Sequence, residues 1–320
     1  MSSNRIRVMV SAVAALAALS VSKPASAQSL TYARGQNVAP AYEGWEIDAA
    51  GKRYFVFGYM NRNWEEEVSI PVGPDNLLEP GPADQGQPTR FLPRRNRFVF
   101  RIPVPDGFGE EDEVVWTLTR KGKVEKAYAS LRLDYFLDDL VKASETGALG
   151  AGSSDPVVRA NKAPTLELEG KKEIAAKAGQ PMTLIAKAGD DGVPAPHPRQ
   201  AVAFFFATSD GSRPGESKNP GWQPPLQVTV DSATGLWVSC YPYRGGGKVT
   251  FDPQQIKVWE DSRTGANSPW APTWMAPPPP ADGKWVTNVT FHEPGDYVLR
   301  CQATDGALTT THEVMVSVAP

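Results

Sequence analysis

Among the side chains of this 320-residue sequence that could take part in acid–base chemistry, histidine is scarce. Histidine, the most common general base of enzymes, occurs only at His197, His292 and His312, and no two of them have the spacing of a metal site. No serine stands in the Gly-x-Ser-x-Gly pattern of hydrolases. The sequence therefore favours a protein without catalytic activity.

Three aspartates could instead bind calcium. Asp190 and Asp191 follow one predicted strand, and Asp305 follows another that would end at the same pole of a β-sandwich. Carboxylate oxygens are the ligands that Ca²⁺ prefers. Both Asp-Gly pairs are also typical of turns in which the aspartate caps its own backbone. Calcium is thus the only cofactor that the sequence suggests, with turn chemistry as the alternative.

Tryptophan is concentrated in one long proline-rich loop. Trp259, Trp270 and Trp274 lie in this loop, and Trp285 closes it. Exposed rings could stack on sugars or anchor a protein partner, because a large rigid side chain loses little entropy on binding. The alternative is that the loop folds over the protein and buries its own rings, since a long loop needs apolar contacts to stay ordered. These four residues are the predicted ligand-binding surface.

The first residues have the features of a secretory signal. Arg5 and Arg7 precede an apolar run, Val8 to Leu19, that is too short to span a bilayer, and Ala25-Ser26-Ala27 supplies a small-residue cleavage site. We therefore predict a signal peptide over 1–27 and export to the periplasm or the outside of the cell. No later run is long and apolar enough to predict a transmembrane segment. The net charge of −3 and the pI near 5.8 give no reason to expect nucleic acid as a partner.

Strand periodicity dominates the rest of the sequence. Tyr297, Leu299 and Cys301 alternate with more polar residues, the Asp305-Gly306 turn follows, and a second alternating run begins at Val314. The 30 prolines and 28 glycines indicate short strands joined by many turns.

The hairpin 291–318 closely resembles the end of PKD-type (polycystic-kidney-disease-type) domains, where Pro-Gly-x-Tyr leads into an alternating strand that ends in Thr-Asp-Gly. The stretches NKAPTLELEG and AGQPMTLIAKAGDDG are similar to the first strands of such domains. Near the other end, FGYMNRN at 57–63, residues 70–93 and VVWTL at 114–118 are similar to a module of exported bacterial proteins. These resemblances imply immunoglobulin-like sandwiches and export, but no activity.

We predict an all-β chain of two immunoglobulin-like β-sandwich domains in tandem, with one short amphipathic helix, Asp134 to Ala143, near their junction. The predicted segments are the signal peptide 1–27, a flexible lead-in 28–40, a first sandwich 41–143, a Gly- and Ser-rich linker 144–161, and a second, PKD-type sandwich 162–320 with long loop insertions.

The two cysteines, Cys240 and Cys301, are predicted to form a disulfide bond. An exported protein enters a compartment where thiols oxidise. Residue parity places each cysteine on the apolar face of its strand, and the two strands would be the third and sixth of the sandwich, which are neighbours in one sheet. The alternative is a pair of buried thiols that act as small apolar side chains.

Together these features predict an exported, non-catalytic binding or structural protein of the cell envelope or of a secreted assembly, in contact with a protein or a glycan. The rival prediction is an enzyme, or an accessory subunit of an extracellular and for example carbohydrate-active enzyme, on the same scaffold. Asp, Glu and His side chains that converge in a pocket would favour the rival.

Replacing Trp270 and Trp274 by alanine tests the aromatic surface. If the rings bind a partner, we expect capture of that partner to be lost while the melting temperature changes little. A large fall in the melting temperature would show that the rings are packed inside the protein instead.

Overall fold

The computed structural model describes residues 34–63, 65–145, 156–196, 229–230, 234–255, 257, 273–274 and 278–320, of which 145, 229–230 and 273–274 are described by their backbone alone. No helix in these ranges is long and apolar enough to cross a membrane.

The first sandwich consists of two three-stranded sheets and one short strand pair. Its strands are β1 (Val38–Ile47), β2 (Arg53–Asn61), β3 (Val68–Ser69), β4 (Asn76–Glu79), β5 (Arg90–Phe91), β6 (Arg94–Pro103), β7 (Val114–Arg120) and β8 (Lys123–Ala129). The sheets have the orders β1-β2-β6 and β4-β7-β8, and β3 pairs with β5. All these pairs are antiparallel.

Aromatic rings fill the core between the two sheets. Phe57 of β2 and Trp116 of β7 are both fully buried, with ring centroids 5.8 Å apart in an edge-to-face arrangement. The indole N–H of Trp116 donates to Asn76 Oδ1 at 3.0 Å, so its polar atom is satisfied. Burial of each such ring stabilises the fold by roughly 1.5–3 kcal/mol. The apolar residues that alternate along the strands of the first sandwich therefore face the core, as predicted.

The second sandwich pairs two four-stranded sheets, β10-β18-β17-β13 and β14-β16-β11-β9. Its strands are β9 (Thr165–Leu168), β10 (Glu173–Lys177), β11 (Pro181–Gly189), β12 (Thr229–Val230), β13 (Trp237–Arg244), β14 (Val249–Asp252), β15 (Thr273–Trp274), β16 (Lys284–Phe291), β17 (Gly295–Thr304) and β18 (Thr309–Ala319). β10 runs parallel to β18, and β12 pairs in parallel with β15. Its core includes Leu184, Val289, Phe291, Leu299 and Val316. This strand order is that of an immunoglobulin-like sandwich, which confirms the predicted all-β fold of two such units in tandem.

The helix predicted from Asp134 to Ala143 is wrong in its extent. Leu133–Tyr135 forms a single 3-10 turn, the chain then extends, and helix α1 spans Asp139–Glu145. The extended part is held to β1, because the Leu137 N–H donates to Trp45 O at 2.8 Å. Part of the apolar pattern that suggested one helix thus belongs to an extended segment in contact with β1. A second short helix, α2, spans Pro156–Arg159.

β1 starts at Val38, inside the predicted lead-in 28–40. The side chain of Val38 is buried in the core, and the Gln36 N–H donates to Asn63 Oδ1 at 2.6 Å. This part of the lead-in is therefore bound to the first sandwich. Residues 146–155 of the predicted linker lie outside the described residues, and the domain boundaries stay a prediction.

Cys240 and Cys301 form the predicted disulfide bond. They stand directly opposite each other on β13 and β17, with Cα atoms 4.0 Å apart. The Cys240 N–H points away from β17 and donates to Gln255 Oε1 at 3.0 Å. That direction marks a non-hydrogen-bonded pair, in which side chains of neighbouring strands come closest. The bridge therefore joins two neighbours in one sheet and does not cross the core.

Replacing both cysteines by alanine should lower the free energy of unfolding by about 4 kcal/mol, because the bridge closes a loop with a sequence separation of 61. Equilibrium denaturation of the double variant beside the unreduced protein measures this loss. Mass spectrometry of unreduced, alkylated protein is the direct check, since two alkylated cysteines would contradict the bond.

Candidate functional site

One outer sheet face of the second sandwich carries buried aromatic rings. β13 places Trp237, Tyr241 and Tyr243 on the side opposite the core, and their exposed fractions are only 4%, 7% and 2%. A sheet face directed to water carries mostly polar side chains. Another part of the chain must therefore cover this face.

The loop between β4 and β5, residues 80–89 of the first sandwich, provides much of this cover. Arg244 forms two hydrogen bonds of 2.8 Å with the Asp84 carboxylate, one from each terminal nitrogen. The Tyr243 hydroxyl donates to Gly86 O at 2.6 Å. Burial raises the pKa of Tyr243, so its phenol remains a protonated donor at neutral pH. These bonds fix the loop on β13.

Gln87 holds that loop in shape from inside. It is fully buried, its Oε1 accepts the Gln85 N–H at 2.7 Å, and its Nε2 donates to Ala83 O at 2.7 Å. An unpaired buried amide would cost about 1–3 kcal/mol, so these bonds favour one loop conformation. A stretch that the sequence shows only as turn-rich is therefore a defined contact element.

Arg300 joins the two sandwiches from the middle of β17. It is 6% exposed, and its guanidinium lies 3.5 Å from the ring centroid of Tyr243. It forms an ion pair with Glu313 of β18, and its Nη1 donates to the backbone oxygen of Val99 in the first sandwich. A buried cation is stable only when it is paired and hydrogen-bonded. The hydrogen bond from Arg300 thus holds Val99 of the first sandwich against β17.

Val99 belongs to a bulge of β6. The pairing with β2 leaves residues 97–99 opposite Gly58 alone. A Cβ at Gly58 would overlap the backbone oxygen of Asn96, so only glycine permits this approach. Phe98 has a φ of 48°, which is unusual for an aromatic residue. The bulge carries residues 97–99 out of the sheet and towards β17.

A cleft of about 610 Å³ remains between the sandwiches. Its floor is the outer face of β13, β17 and β18, and its opposite wall is the bulge of β6 with residues of β1 and α1. Among the described residues that line it, five side chains are cationic and three are carboxylates: Arg97, Arg101, Lys142, Lys257, Arg300, Glu46, Asp139 and Glu313. Hydroxyl groups and rings complete the lining, among them Thr304, Thr309, Thr311, Trp237 and Tyr241.

Glu46 organises the cations at one end of the cleft. Its carboxylate contacts Arg101 Nη1 at 2.6 Å and also pairs with Lys142 of α1. Burial acts to raise the pKa of Glu46, but Lys142 and Arg101 outweigh it, and the pKa is lowered. Glu46 is therefore ionised at neutral pH and is a poor proton donor.

The three predicted calcium ligands take part in turn chemistry. Asp305 is fully buried, and its Oδ1 accepts the N–H groups of Ala307 at 2.6 Å and Leu308 at 2.7 Å. Asp190 and Asp191 each accept the N–H two residues ahead. All three carboxylates thus cap their own turns, as the alternative interpretation expects.

Burial raises the pKa of two of these aspartates. For Asp305, burial outweighs the hydrogen bonds from Leu308, Ala307 and Asn161 that act to lower the pKa, and Asp190 adds a smaller raising effect. For Asp190, burial is again the largest cause. Asp190 Oδ1 and Asn161 Oδ1 accept no hydrogen bond from the part of the chain that the structure describes. Within the described ranges, no group of three or more His, Cys, Asp or Glu side chains is arranged to hold a metal ion. Calcium binding at this pole stays a prediction.

Only one ring of the predicted aromatic surface can be placed. Trp285 is half-buried, pairs with Ala186 of β11 and packs against the core of the second sandwich. Trp274 lies in β15, of which only the backbone is described, and Trp259 and Trp270 lie outside the described residues. Trp285 therefore contributes to the core, and the role of the other three stays a prediction.

The side chains that form the cleft floor were not among the predicted site residues. The sequence did contain a signal for these residues. In LWVSCYPY at 236–243, the residues directed to either face of the strand are mostly apolar or aromatic. Such a run is typical of a strand buried on both faces. Arg300 gave no comparable signal, since a cation on the polar side of an alternating strand is ordinarily exposed.

No protein-family profile matches this sequence, and no curated protein matches it. Among solved structures, the chain is similar to a chimeric titin Z1Z2 functionalised with a KLER peptide from decorin, at 9% identity, 89% coverage of this chain, 100% of that chain and a TM-score of 0.22. It is also similar to domains 4 and 5 of the S-layer protein SbsC, at 9% identity, with 89% of this chain and 98% of that chain covered and a TM-score of 0.21. A third similar structure is the D0-D1 domain of intimin, at 11% identity, with 87% of this chain and 97% of that chain covered and a TM-score of 0.22.

Similarity at this level carries no conclusion about function, and the immunoglobulin-like fold follows from the strand order. The chain is therefore a tandem immunoglobulin-like protein. The finer assignment of its second sandwich to the PKD type stays a prediction.

The Asp84–Arg244 pair makes a pH-dependent contribution to stability. The hydrogen bonds from Arg244 are the largest cause of the low pKa of Asp84, which is lowered from 3.8 to about 2. A lowered carboxyl pKa stabilises the folded state above the unfolded value, and this stabilisation is lost as the pH falls towards 2. Because the Asp84 side chain is 57% exposed, we expect a contribution below about 1 kcal/mol.

Denaturation of the wild type and of Asp84→Asn at pH 6 and at pH 2 measures this effect. The difference in the free energy of unfolding should be present at pH 6 and nearly absent at pH 2. Asp106→Asn, at an exposed aspartate between β6 and β7, is the matched control and should show no such difference. An equal difference at both pH values would contradict the pair's role.

Proposed function

We propose that this chain is an exported, non-catalytic binding protein of the cell envelope or of a secreted assembly, and that the cleft between its sandwiches holds a protein segment or glycan. The cleft is the observation that carries this proposal. Its volume of about 610 Å³ lies within the roughly 300–1,000 Å³ of typical ligand sites.

The walls of the cleft are preorganised for binding. The Arg244–Asp84 pair and the Arg300 bond to Val99 hold the two sandwiches in one arrangement. A site whose side chains are already fixed loses little entropy when a ligand enters. This favours a binding role for a surface that both sandwiches build together.

Two independent features support export. The residues before Ala27 have the pattern of a secretory signal, and the only two cysteines form a disulfide bond. Disulfides persist mainly in oxidising compartments such as the periplasm and the extracellular space.

The rival function is an enzyme, or the accessory subunit of a carbohydrate-active enzyme. Acid catalysis at neutral pH needs a carboxyl group whose pKa is raised. The carboxylate of Glu46 has a lowered pKa because of Lys142 and Arg101. Glu313 is engaged by Arg300. These two carboxylates are therefore better suited to recognition than to proton transfer.

Filling the cleft tests the proposal. Gln302 lies on the cleft floor, so Gln302→Trp should block entry, whereas Val286→Trp places the same ring at an exposed position on the other sheet. We expect immobilised wild type and Val286→Trp to capture the same component of an envelope extract, and Gln302→Trp to lose it at an unchanged melting temperature. Capture that Gln302→Trp leaves intact would contradict binding in the cleft.

A further inference from the structure

A bulge of β13 turns one of its backbone groups towards the first sandwich. β13 is the last strand of its sheet among the described residues, next to β17, and its pairing with β17 shifts between Pro242 and Arg244. Such a bulge leaves the extra residue, here Tyr243, without a partner in the ladder. The carbonyl oxygen of Tyr243 accepts the Thr89 N–H at 3.3 Å. A backbone group of β13 is therefore paired across the two sandwiches.

The segment around Thr89 follows β13 over several residues. Arg244 Nε donates to Gln87 O at 3.0 Å, and the Gly245 N–H donates to Thr89 Oγ1 at 3.2 Å. With the bond to Tyr243, these contacts cover three successive residues of the second sandwich, 243–245. Residues 87–89 thus accompany this end of β13 on the side away from β17.

Arg90 extends the contact to the turn after β13. Its Nη1 donates to Gly246 O at 3.2 Å and to Gly247 O at 2.9 Å. Its Nε donates to Glu67 Oε2 at 2.8 Å, which orients the guanidinium. The turn is closely packed as well, since a Cβ at Gly247 would overlap the Tyr297 hydroxyl. Two well-placed carbonyl groups therefore receive a charged donor, and such hydrogen bonds are stronger than neutral ones.

The first sandwich holds this segment in shape through Asn76. Asn76 is fully buried, and its Nδ2 donates to Pro88 O at 2.8 Å and to Ile70 O at 3.0 Å. Its Oδ1 accepts the indole N–H of Trp116 from the core. The segment is therefore fixed before it meets β13, and it loses little entropy on docking.

We propose that residues 84–90 complete the outer edge of β13 as a strand partner built into the chain, and that this contact keeps the two sandwiches docked without help from the linker. Domains joined by a linker ordinarily move relative to each other unless their contact is strong. Here backbone bonds, charged bonds and the buried rings of β13 act together. The first sandwich thus has a role of its own, because it occupies an edge to which a strand of another protein could otherwise be added. This inference does not depend on a ligand for the cleft.

Cleavage of the full chain between the sandwiches tests the docking. A protease recognition sequence is inserted between residues 150 and 151, and the purified protein is cut. Both cysteines lie in the second fragment, so the disulfide bond does not join the fragments. We expect the fragments to co-elute at the volume of the uncut protein in gel filtration at about 1 μM. Elution as two separate species would overturn the inference.

Two variants of the cut protein test the strand partner itself, with the Kd of the fragments measured by dilution of protein labelled on one fragment. Arg90→Ala removes both bonds to the turn and should raise this Kd about tenfold or more. Thr89→Val removes only the acceptor of the Gly245 N–H and should raise it about fivefold. Arg62→Ala is the matched control, since Arg62 pairs with Glu125 inside the first sandwich at 3.6 Å, and should stay within about twofold of the wild type.

The two variants also protect the test against misfolding. If Arg90→Ala fails to fold, Thr89→Val decides the question, because it removes a single hydroxyl group. A Kd equal to that of the wild type in every folded variant would overturn the assignment of the contact to residues 84–90. Capture from extract, which Gln302→Trp tests, is a separate measurement, so failure of this inference and failure of the proposed function can be told apart.

Discussion

The buried charge of Arg300 is the constraint on which the arrangement of the two sandwiches depends. A guanidinium that is 6% exposed must have partners for its charge and its N–H groups. The second sandwich supplies two of them, the Tyr243 ring and Glu313. The third is the backbone oxygen of Val99, which belongs to the first sandwich. Separation of the sandwiches would leave this cation with an incomplete set of partners, so the docked state is favoured.

Much of the fold could be predicted because each strand follows simple alternation. The runs ending at Cys301 and Val318 show one apolar parity, and in the structure that parity faces the core. The disulfide followed from the same parity together with the assignment of two neighbouring strands. These features depend on contacts within one sandwich, and a sequence shows such contacts through its local period.

Features that depend on contact between the sandwiches, or on how particular strands pair, could not be predicted in the same way. Asp84 and Gly86 belong to a turn-rich loop, and only the position of Tyr243 and Arg244 makes that loop a docking element. The bulge opposite Gly58 is a second example, because strand periodicity cannot show where a ladder skips residues. β10 is a third. Its five residues include only Ile174 as a large apolar side chain, and the strand exists because β18 offers it a partner.

The same docking shields the part of the β18 edge that has no partner strand among the described residues. An exposed edge of unpaired backbone groups is a template for association with other sheets. Here the edge at Thr309–Glu313 faces a cleft whose far wall is the bulge of the first sandwich. A second sandwich cannot approach β18 edge to edge without displacing that wall, and the Arg300–Val99 bond opposes the displacement. The contact that hides Arg300 thus also protects this edge of β18 from association with another sheet.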